Sequence, residues 1–272
     1  PLELGNHLFF KTLKPEILLT FGGMVVSKKI KKLLRHHSPQ EHWHVDPFRA
    51  YDTYYCLTQY FSMTVNSFFS GLLNDYQAPK TNYKSSVLHQ YRSQLQKVNT
   101  YLRQIPFSDL KAFEIIFSNL PYKIHLQLAN SSTVRYAQLF DMPEGAEVFS
   151  NRGTSGIDGS TATAVGAALI NKNQSLLITG DLSFFYDING LWNNHIPSNF
   201  RVILINNQGG GIFRILPGEK DSPEYDTYFE TIHNRDARQI SRVFGFHYKV
   251  VKTNTGLKWA LKKFFKRSRQ PK

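Results

Sequence analysis

Apolar positions fall in short blocks separated by polar turns, and their spacing switches between the strand period and the helix period along the chain. Ile17–Phe21 is a short apolar block closed by Gly22-Gly23. Helical spacing over Val26–Leu34 and an extended Trp43-His44-Val45 follow, which predicts a strand, a turn, a helix and a strand. Tyr51–Leu73 is rich in aromatics, and Asn74–Asn82, which holds Pro79, reads as a surface crossing. A boundary is expected there, with residues 1–80 in one domain and 81–272 in another. Helices are expected over Ser85–Arg103 and Ser108–Asn119. The second has Ser108 as its cap, Leu110, Phe113, Ile116 and Phe117 on one stripe, and Pro121 as its stop.

Beyond Pro121 the alternation becomes regular. An extended Lys123–Leu128 leads to a helix from about Ser131, a strand at Glu147–Phe149 and a small-residue helix over Ser160–Leu169. A strand at Ser175–Thr179, a helix over Asp187–Asn194 and a strand at Arg201–Ile205 complete the series. Leu176-Leu177-Ile178 and Val202-Ile203-Leu204-Ile205 are continuous apolar runs, as strands covered on both faces must be. The fold class is therefore α/β, a parallel-sheet domain preceded by part of a smaller α/β domain. Gly256–Lys272 predicts a last helix, with Leu257, Leu261, Phe264 and Phe265 on one face and Lys258, Lys262, Lys263 and Lys266 on the other.

Composition narrows the function classes. With 272 residues, 41% of them hydrophobic and 14% aromatic, the chain can bury a sizeable core. The formal net charge of +13 invites a polyanion, yet a small anionic ligand accounts for it equally well. The single cysteine, Cys56, excludes an internal disulfide and a cysteine metal cage, and it favours a reducing compartment. No apolar run reaches the roughly 20 residues that span a bilayer. The first residues lack a signal-peptide pattern, so a cytoplasmic protein is expected. Element-like sequence starts directly after Pro1, which sets the expectation that more of the protein precedes it.

The candidate chemistry sits where two strands end. Ser175–Thr179 runs into Gly180-Asp181-Leu182-Ser183, and Arg201–Ile205 runs into Asn206-Asn207-Gln208-Gly209-Gly210-Gly211. Successive parallel strands joined by a right-handed crossover bring their carboxyl ends to one sheet edge, so Asp181 and Asn207 can meet there. A carboxylate, an amide oxygen and the carbonyl of Gly209 are hard oxygen donors, suited to Mg²⁺ or Mn²⁺ that also holds a diphosphate. The glycines let the backbone come close, and the N–H groups of Leu182 and Ser183 are expected to face the phosphates if a helix opens there.

A Gly-Asp pair followed about 25 residues later by Asn-Asn, each after a strand, resembles the cofactor motif of thiamine-diphosphate-dependent enzymes. The usual motif begins Gly-Asp-Gly, whereas this chain has Gly-Asp-Leu-Ser. Together with Asn151-Arg152-Gly153-Thr154-Ser155-Gly156-Ile157-Asp158-Gly159 and Gly210-Gly211-Ile212-Phe213 it resembles one branch, the 2-succinyl-5-enolpyruvyl-6-hydroxy-3-cyclohexene-1-carboxylate synthases of menaquinone biosynthesis. The resemblance runs from the opening Gly-Asn segment to at least Pro217. It implies a thiamine-diphosphate-binding domain preceded by part of a middle domain. It also implies a reaction in which 2-oxoglutarate is decarboxylated on the cofactor and the resulting succinyl carbanion adds to isochorismate.

The resemblance further assigns Ile157 as the apolar wedge under the bent cofactor, with packing at the sheet edge as its compatible structural role. Arg152 and Arg135 would hold substrate carboxylates with Ser131 nearby, because planar guanidinium groups bind carboxylates bidentately. Ile212, Phe213 and Leu216 would wall the reactive centre and keep it dry, or simply pack the core. Lys28 and Lys29 match a basic pair at a helix start, where a solvated helix face is an equal reading. The family also implies a homo-oligomer in which an amino-terminal domain of a neighbouring subunit binds the aminopyrimidine and supplies a glutamate. These 272 residues alone are accordingly expected to be inactive.

Other classes remain open at this point. The basic final helix, with Phe264-Phe265, could make a module for nucleic acid or a membrane surface, although an amphipathic helix docked by its apolar face is the plainer reading, so no nucleic-acid partner is expected. A different 2-oxo acid decarboxylase would share the cofactor motif. A nicotinamide enzyme would need a Gly-x-Gly-x-x-Gly turn that the sequence lacks. His42, His44 and Asp46 could face one side of a strand as zinc ligands but want a fourth partner. His36, His37 and His195 fall near helix ends, where a cation is comfortable without a catalytic role.

Overall fold

The computed structural model describes residues 14–23, 25, 27–74, 76–214 and 222–272. Described residues up to Val98 form one compact unit and those from Asn99 another, the division falling within a long helix, Tyr83–Gln104. In the first unit, β1 (Ile17–Phe21), β2 (Glu41–Val45) and β3 (Gln59–Phe61) form a parallel sheet in that order. Helix α1 (Lys28–His36) links β1 to β2, and α2 (Val65–Asn74) follows β3. The start of α1 lies later than the periodicity suggests, because the Ser27 hydroxyl caps it by accepting from the Ile30 amide at 3.3 Å. Val26 lies outside the described residues. Both β3 and α2 lie in the aromatic stretch whose periodicity predicted no element.

The long helix is α3 (Tyr83–Gln104), and α4 (Asp109–Phe117) starts as expected, with the Ser108 hydroxyl accepting from the Lys111 amide at 3.4 Å. Then come β4 (His125–Leu128), α5 (Ser132–Ala137), β5 (Glu147–Phe149), α6 (Ser160–Ile170) and β6 (Ser175–Gly180). The second unit is completed by α7 (Asp181–Tyr186), β7 (Phe200–Ile205), α8 (Arg238–Val243) and α9 (Asn254–Phe264). The four strands are parallel in the order β5-β4-β6-β7.

Alternation along β6 explains why the sheet is covered on both sides. Leu176 and Ile178 join Phe113, Ile116, Phe117, Leu126 and Leu261 in one core, while Leu177 joins Val165, Ala168, Leu191 and Phe200 in the other. Residues Ser175–Thr179 of β6 are all buried, which is why Leu176-Leu177-Ile178 reads as an unbroken apolar run.

Two expected helices differ from those found. After β6 the helix starts at Asp181 and ends at Tyr186, and only a single 3₁₀ turn occupies Ile188–Leu191. The reason is that Asp187 is committed elsewhere: its Oδ2 accepts from the Ala162 amide at 2.8 Å, capping α6 from outside. Gly190 then packs so closely that a Cβ there would lie 2.7 Å from the Ala162 backbone.

At the other end, α9 stops at Phe264 rather than running to Lys272. Its terminal carbonyls are taken by two cations, as the negative helix end favours. Arg201 Nε donates to Phe264 O at 2.9 Å and Arg201 Nη2 to Lys266 O at 3.0 Å. Lys272 Nζ donates to Lys263 O at 2.8 Å, and the Lys272 backbone exchanges hydrogen bonds with Val202 and Phe200 along the β7 edge. Leu261 is buried, and Leu257, Phe264 and Phe265 pack against the core, so the apolar face of this helix is docked rather than offered to bases or lipid.

Arg201 is 1% exposed and also donates to Ser198 O and Phe200 O. It therefore serves four carbonyls, and burial lowers its pKa. Arg201→Met strips these acceptors of their donor, and chemical denaturation should show a loss of roughly 3 kcal/mol. His125 on β4 is also buried, and burial, opposed by the Glu147 charge, holds its pKa below the ordinary value. A depressed folded-state pKa means that stability is full above the unfolded value of about 6.5 and is lost as pH falls through the folded one. Melting temperatures should therefore decline from pH 7 to pH 5, and His125→Gln should flatten part of that decline.

Candidate active site

Strands β6 and β7 pair through to their ends, with Gly180 opposite Ile205, so the residues that follow each strand emerge side by side. Asp181, 2% exposed, is the first residue of α7. Its Oδ2 accepts from the amides of Gln208 at 2.7 Å and Gly209 at 3.1 Å, on the loop after β7. Gln208 adopts φ of 67°, a left-handed turn that aims its N–H at this carboxylate. His233 Nε2 approaches the same oxygen at 3.4 Å, while its Nδ1 accepts from the Arg235 amide.

One expectation needs correction. The Leu182 amide donates to Asp181 Oδ1 at 2.8 Å, so this N–H faces the carboxylate and not a ligand. A six-residue helix starting at the acid itself turns its first donor back onto that acid. The Ser183 hydroxyl donates to the carbonyl of Ile157, which ties the start of α7 to the loop carrying that side chain.

Asn207 is held by Asp109 at the start of α4: its Nδ2 donates to Asp109 Oδ2 at 2.7 Å. Its Oδ1 is buried and has no hydrogen-bond partner among the described residues. A buried acceptor left in that state costs free energy unless a donor or a cation reaches it. Gly209 adopts φ of 152°, and a Cβ there would meet Glu230 O at 2.7 Å. Its carbonyl accepts from the Gly211 amide at 2.9 Å, which leaves one lone pair for another partner.

Gly180, Asp181, Leu182, Ser183, Asn207, Gly209 and Gly210 all line one cleft with Asp109, Asn130, Ser131, Ile157, Ile212 and Phe213. Leu216 lies outside the described residues. Ser131 has φ of 68° and ψ of −128°, a strained backbone of the kind that costs on the order of 1–3 kcal/mol and collects at functional sites. Arg135 Nη1 donates to the Ser131 carbonyl at 2.6 Å, and Arg152 Nη1 donates to Asn130 Oδ1 at 2.7 Å. Burial, and then the like charge of Arg152, push the Arg135 pKa down. Among the described residues no carboxylate pairs with either guanidinium at salt-bridge distance.

Lys28 and Lys29 are exposed in the first turn of α1 and belong to the other unit. In that unit Thr20 Oγ1 bridges His42 Nε2 at 2.8 Å and His44 Nδ1 at 2.9 Å, while Asp46 accepts from the amides of Phe48 and Arg49. Thr20 thus ties the two histidines together while Asp46 is engaged apart from them, and among the described residues no His, Cys, Asp and Glu group could hold a metal in that manner. His36 and His37 pack edge to face on each other.

Several site residues belong to no recognisable sequence motif. Asn130 donates to the carbonyls of Asn151 and Gly156 and so pins the loop that bears Arg152 and Ile157. Its place just after β4, at the ligand-binding edge of the sheet, was the available hint. Asp109 reads as an ordinary helix-start acid, and His233 lies in a segment without periodicity.

Comparison with known proteins agrees with this geometry. Residues 130–271, more than half of the chain, match the thiamine pyrophosphate enzyme, C-terminal TPP binding domain. The chain is 53% identical over 239 residues to a 2-succinyl-5-enolpyruvyl-6-hydroxy-3-cyclohexene-1-carboxylate synthase of Flavobacterium psychrophilum, covering 88% of this chain and 44% of the relative. Proteins with the same name from Flavobacterium johnsoniae and Christiangramia forsetii are 51% and 48% identical, covering 88% and 100% of this chain and 43% and 48% of theirs. The chain thus spans less than half the length of these curated relatives. The paired strand tips, the glycine turn after β7 and the matched sequence all lead to one conclusion: the chain belongs to the thiamine pyrophosphate enzyme family, through its C-terminal TPP binding domain.

Proposed function

We propose that this chain is the diphosphate-binding part of a 2-succinyl-5-enolpyruvyl-6-hydroxy-3-cyclohexene-1-carboxylate synthase, which joins 2-oxoglutarate, less CO₂, to isochorismate in menaquinone biosynthesis. The observation that carries this reading is a pair of arginines with no carboxylate partner among the described residues, hydrogen-bonded to Ser131 and Asn130 of the cleft that also holds Asp181 and an Asn207 oxygen unpaired among those residues. Burial and the nearby Arg152 charge both disfavour the charged Arg135 guanidinium, an anion relieves that, and both substrates carry carboxylates.

The residues fit the cofactor and a metal. The Asn207 oxygen, unpartnered among the described residues, the Asp181 carboxylate and the Gly209 carbonyl are hard oxygen donors that would hold Mg²⁺ or Mn²⁺ beside a diphosphate. Thiamine diphosphate, when bound, supplies the electron sink that decarboxylation of a 2-oxo acid requires. This chain's own residues bind, orient and shield. Ile157, anchored through the Ser183 hydroxyl, offers a stiff apolar side chain at the cleft. Ile212 and Phe213 contribute an apolar wall that disfavours a charged carboxylate relative to neutral CO₂. Arg135 and Arg152 hold substrate carboxylates, with Ser131 donating beside them.

The reading calls for an aminopyrimidine-binding domain and its glutamate from a neighbouring subunit, and so for a cytoplasmic homo-oligomer. No helix among the described residues is long and apolar enough to cross a membrane.

Full-length protein supplied with thiamine diphosphate, Mg²⁺ and 2-oxoglutarate should consume isochorismate, followed by its ultraviolet absorbance. Failure to consume it, or equal use of unrelated 2-oxo acids, overturns the assignment. Arg135→Lys and Arg152→Lys should each raise KM for a carboxylate substrate about tenfold, equivalent to roughly 1.4 kcal/mol, while cofactor affinity stays within about twofold. The 272 residues alone should show no turnover, and measurable turnover would contradict the division of labour proposed here.

A further inference from the structure

A side-chain amide can be seated either way round, and only one way leaves its oxygen available to a cation. Something must therefore choose the orientation of Asn207. Its sole side-chain partner among the described residues is Asp109, whose Oδ2 lies 2.7 Å from Asn207 Nδ2. A carboxylate oxygen accepts and does not donate, so the amide NH₂ is forced toward Asp109 and Oδ1 toward the opposite side. That oxygen is the one left buried without a partner. An asparagine or serine at position 109 could both donate and accept, and either amide orientation would then be tolerated.

Asp109 stands where acids are common, in the first turn of α4, and helix-end electrostatics alone would explain its charge. Electrostatics alone does not explain its reach. The helix already has a cap in Ser108, and the Asp109 carboxylate crosses to a loop 98 residues further along the chain, lining the same cleft as Asp181. Gly211 presses from another side, since a Cβ there would sit 2.7 Å from Asn207 Nδ2. The amide nitrogen is thus fixed by a hydrogen bond and by the close backbone together.

We infer that Asp109 is a positioning residue that locks the Asn207 amide with its oxygen presented to a divalent cation shared with Asp181. This rests on the proposed function, in which those residues hold the metal of the cofactor. Partners of this kind, one step behind a metal ligand, typically change metal affinity by 10–100-fold when removed.

The test is Mg²⁺ titration of full-length protein in the presence of thiamine diphosphate, followed by isothermal calorimetry. Asp109→Asn should weaken Mg²⁺ at least tenfold while the melting temperature of the cofactor-free protein stays within a few degrees. The exchanged pair, Asp109→Asn with Asn207→Asp, should regain most of that affinity, because the amide now donates from position 109 and the carboxylate at 207 keeps an oxygen for the metal. A purely structural role for Asp109 would lower the melting temperature of the cofactor-free protein and leave Mg²⁺ affinity of the folded variant unchanged. Unchanged Mg²⁺ affinity in the single variant, or no recovery in the exchanged pair, overturns the inference. If Asp109→Asn does not fold, Asp109→Ser answers the same question with the same expected loss. Wild-type protein that binds thiamine diphosphate without any dependence on a divalent ion overturns both the inference and the metal assignment beneath it.

Discussion

The carboxylate of Asp181 ties the tip of β6 to the loop that follows β7. It sits at the end of β6, and its oxygens collect the amides of Leu182, Gln208 and Gly209, the last two from the loop after β7. Charge-assisted hydrogen bonds of this kind are about twice as strong as neutral ones, and here they lie in a buried place where water competes poorly. The left-handed turn at Gln208 and the close passage of Gly209 beside Glu230 are consequences of that grip. Everything else in the cleft, from the Asn207 amide to the anchored Ile157 loop, is referenced to this point.

Around it the charges are sorted. Asp181 and Asp109 lie at one part of the cleft, where a cation would relieve them, and Arg135 and Arg152 border it through Ser131 and Asn130, where an anion would. Among the described residues no carboxylate stands at salt-bridge distance from the two guanidinium groups, whereas His233 lies 3.4 Å from Asp181 and the Arg214 charge acts on Asp109. Under the proposed function, a dicarboxylate substrate would supply the anion that Arg135 and Arg152 lack among the described residues.

Much of this was legible in the sequence because it depends on local pattern. Continuous apolar runs gave β6 and β7, right-handed connection gave a shared edge, and the Gly-Asp and Asn-Asn pairs fell at the strand ends. What the pattern could not give depends on tertiary commitments. The helix after β6 was expected at Asp187, yet that residue is spent capping α6, and α9 was expected to run on, yet its last carbonyls are claimed by Arg201 and Lys272. β3 and α2 were missed in a stretch whose aromatics sit at neither period clearly. Asp109, Asn130 and His233 act on partners 98, 21 to 26 and 52 positions away in sequence, where no local pattern reaches them.

The central claim is spatial: Asp181 and Asn207 face one divalent ion with their oxygens. A crystal structure of the full-length protein with Mg²⁺ and thiamine diphosphate tests it most directly. The account predicts Asn207 Oδ1 and one Asp181 oxygen at about 2.1 Å from the ion, with the diphosphate completing the shell. A metal bound without Asn207, or an Asn207 amide turned with its nitrogen toward the ion, would contradict it.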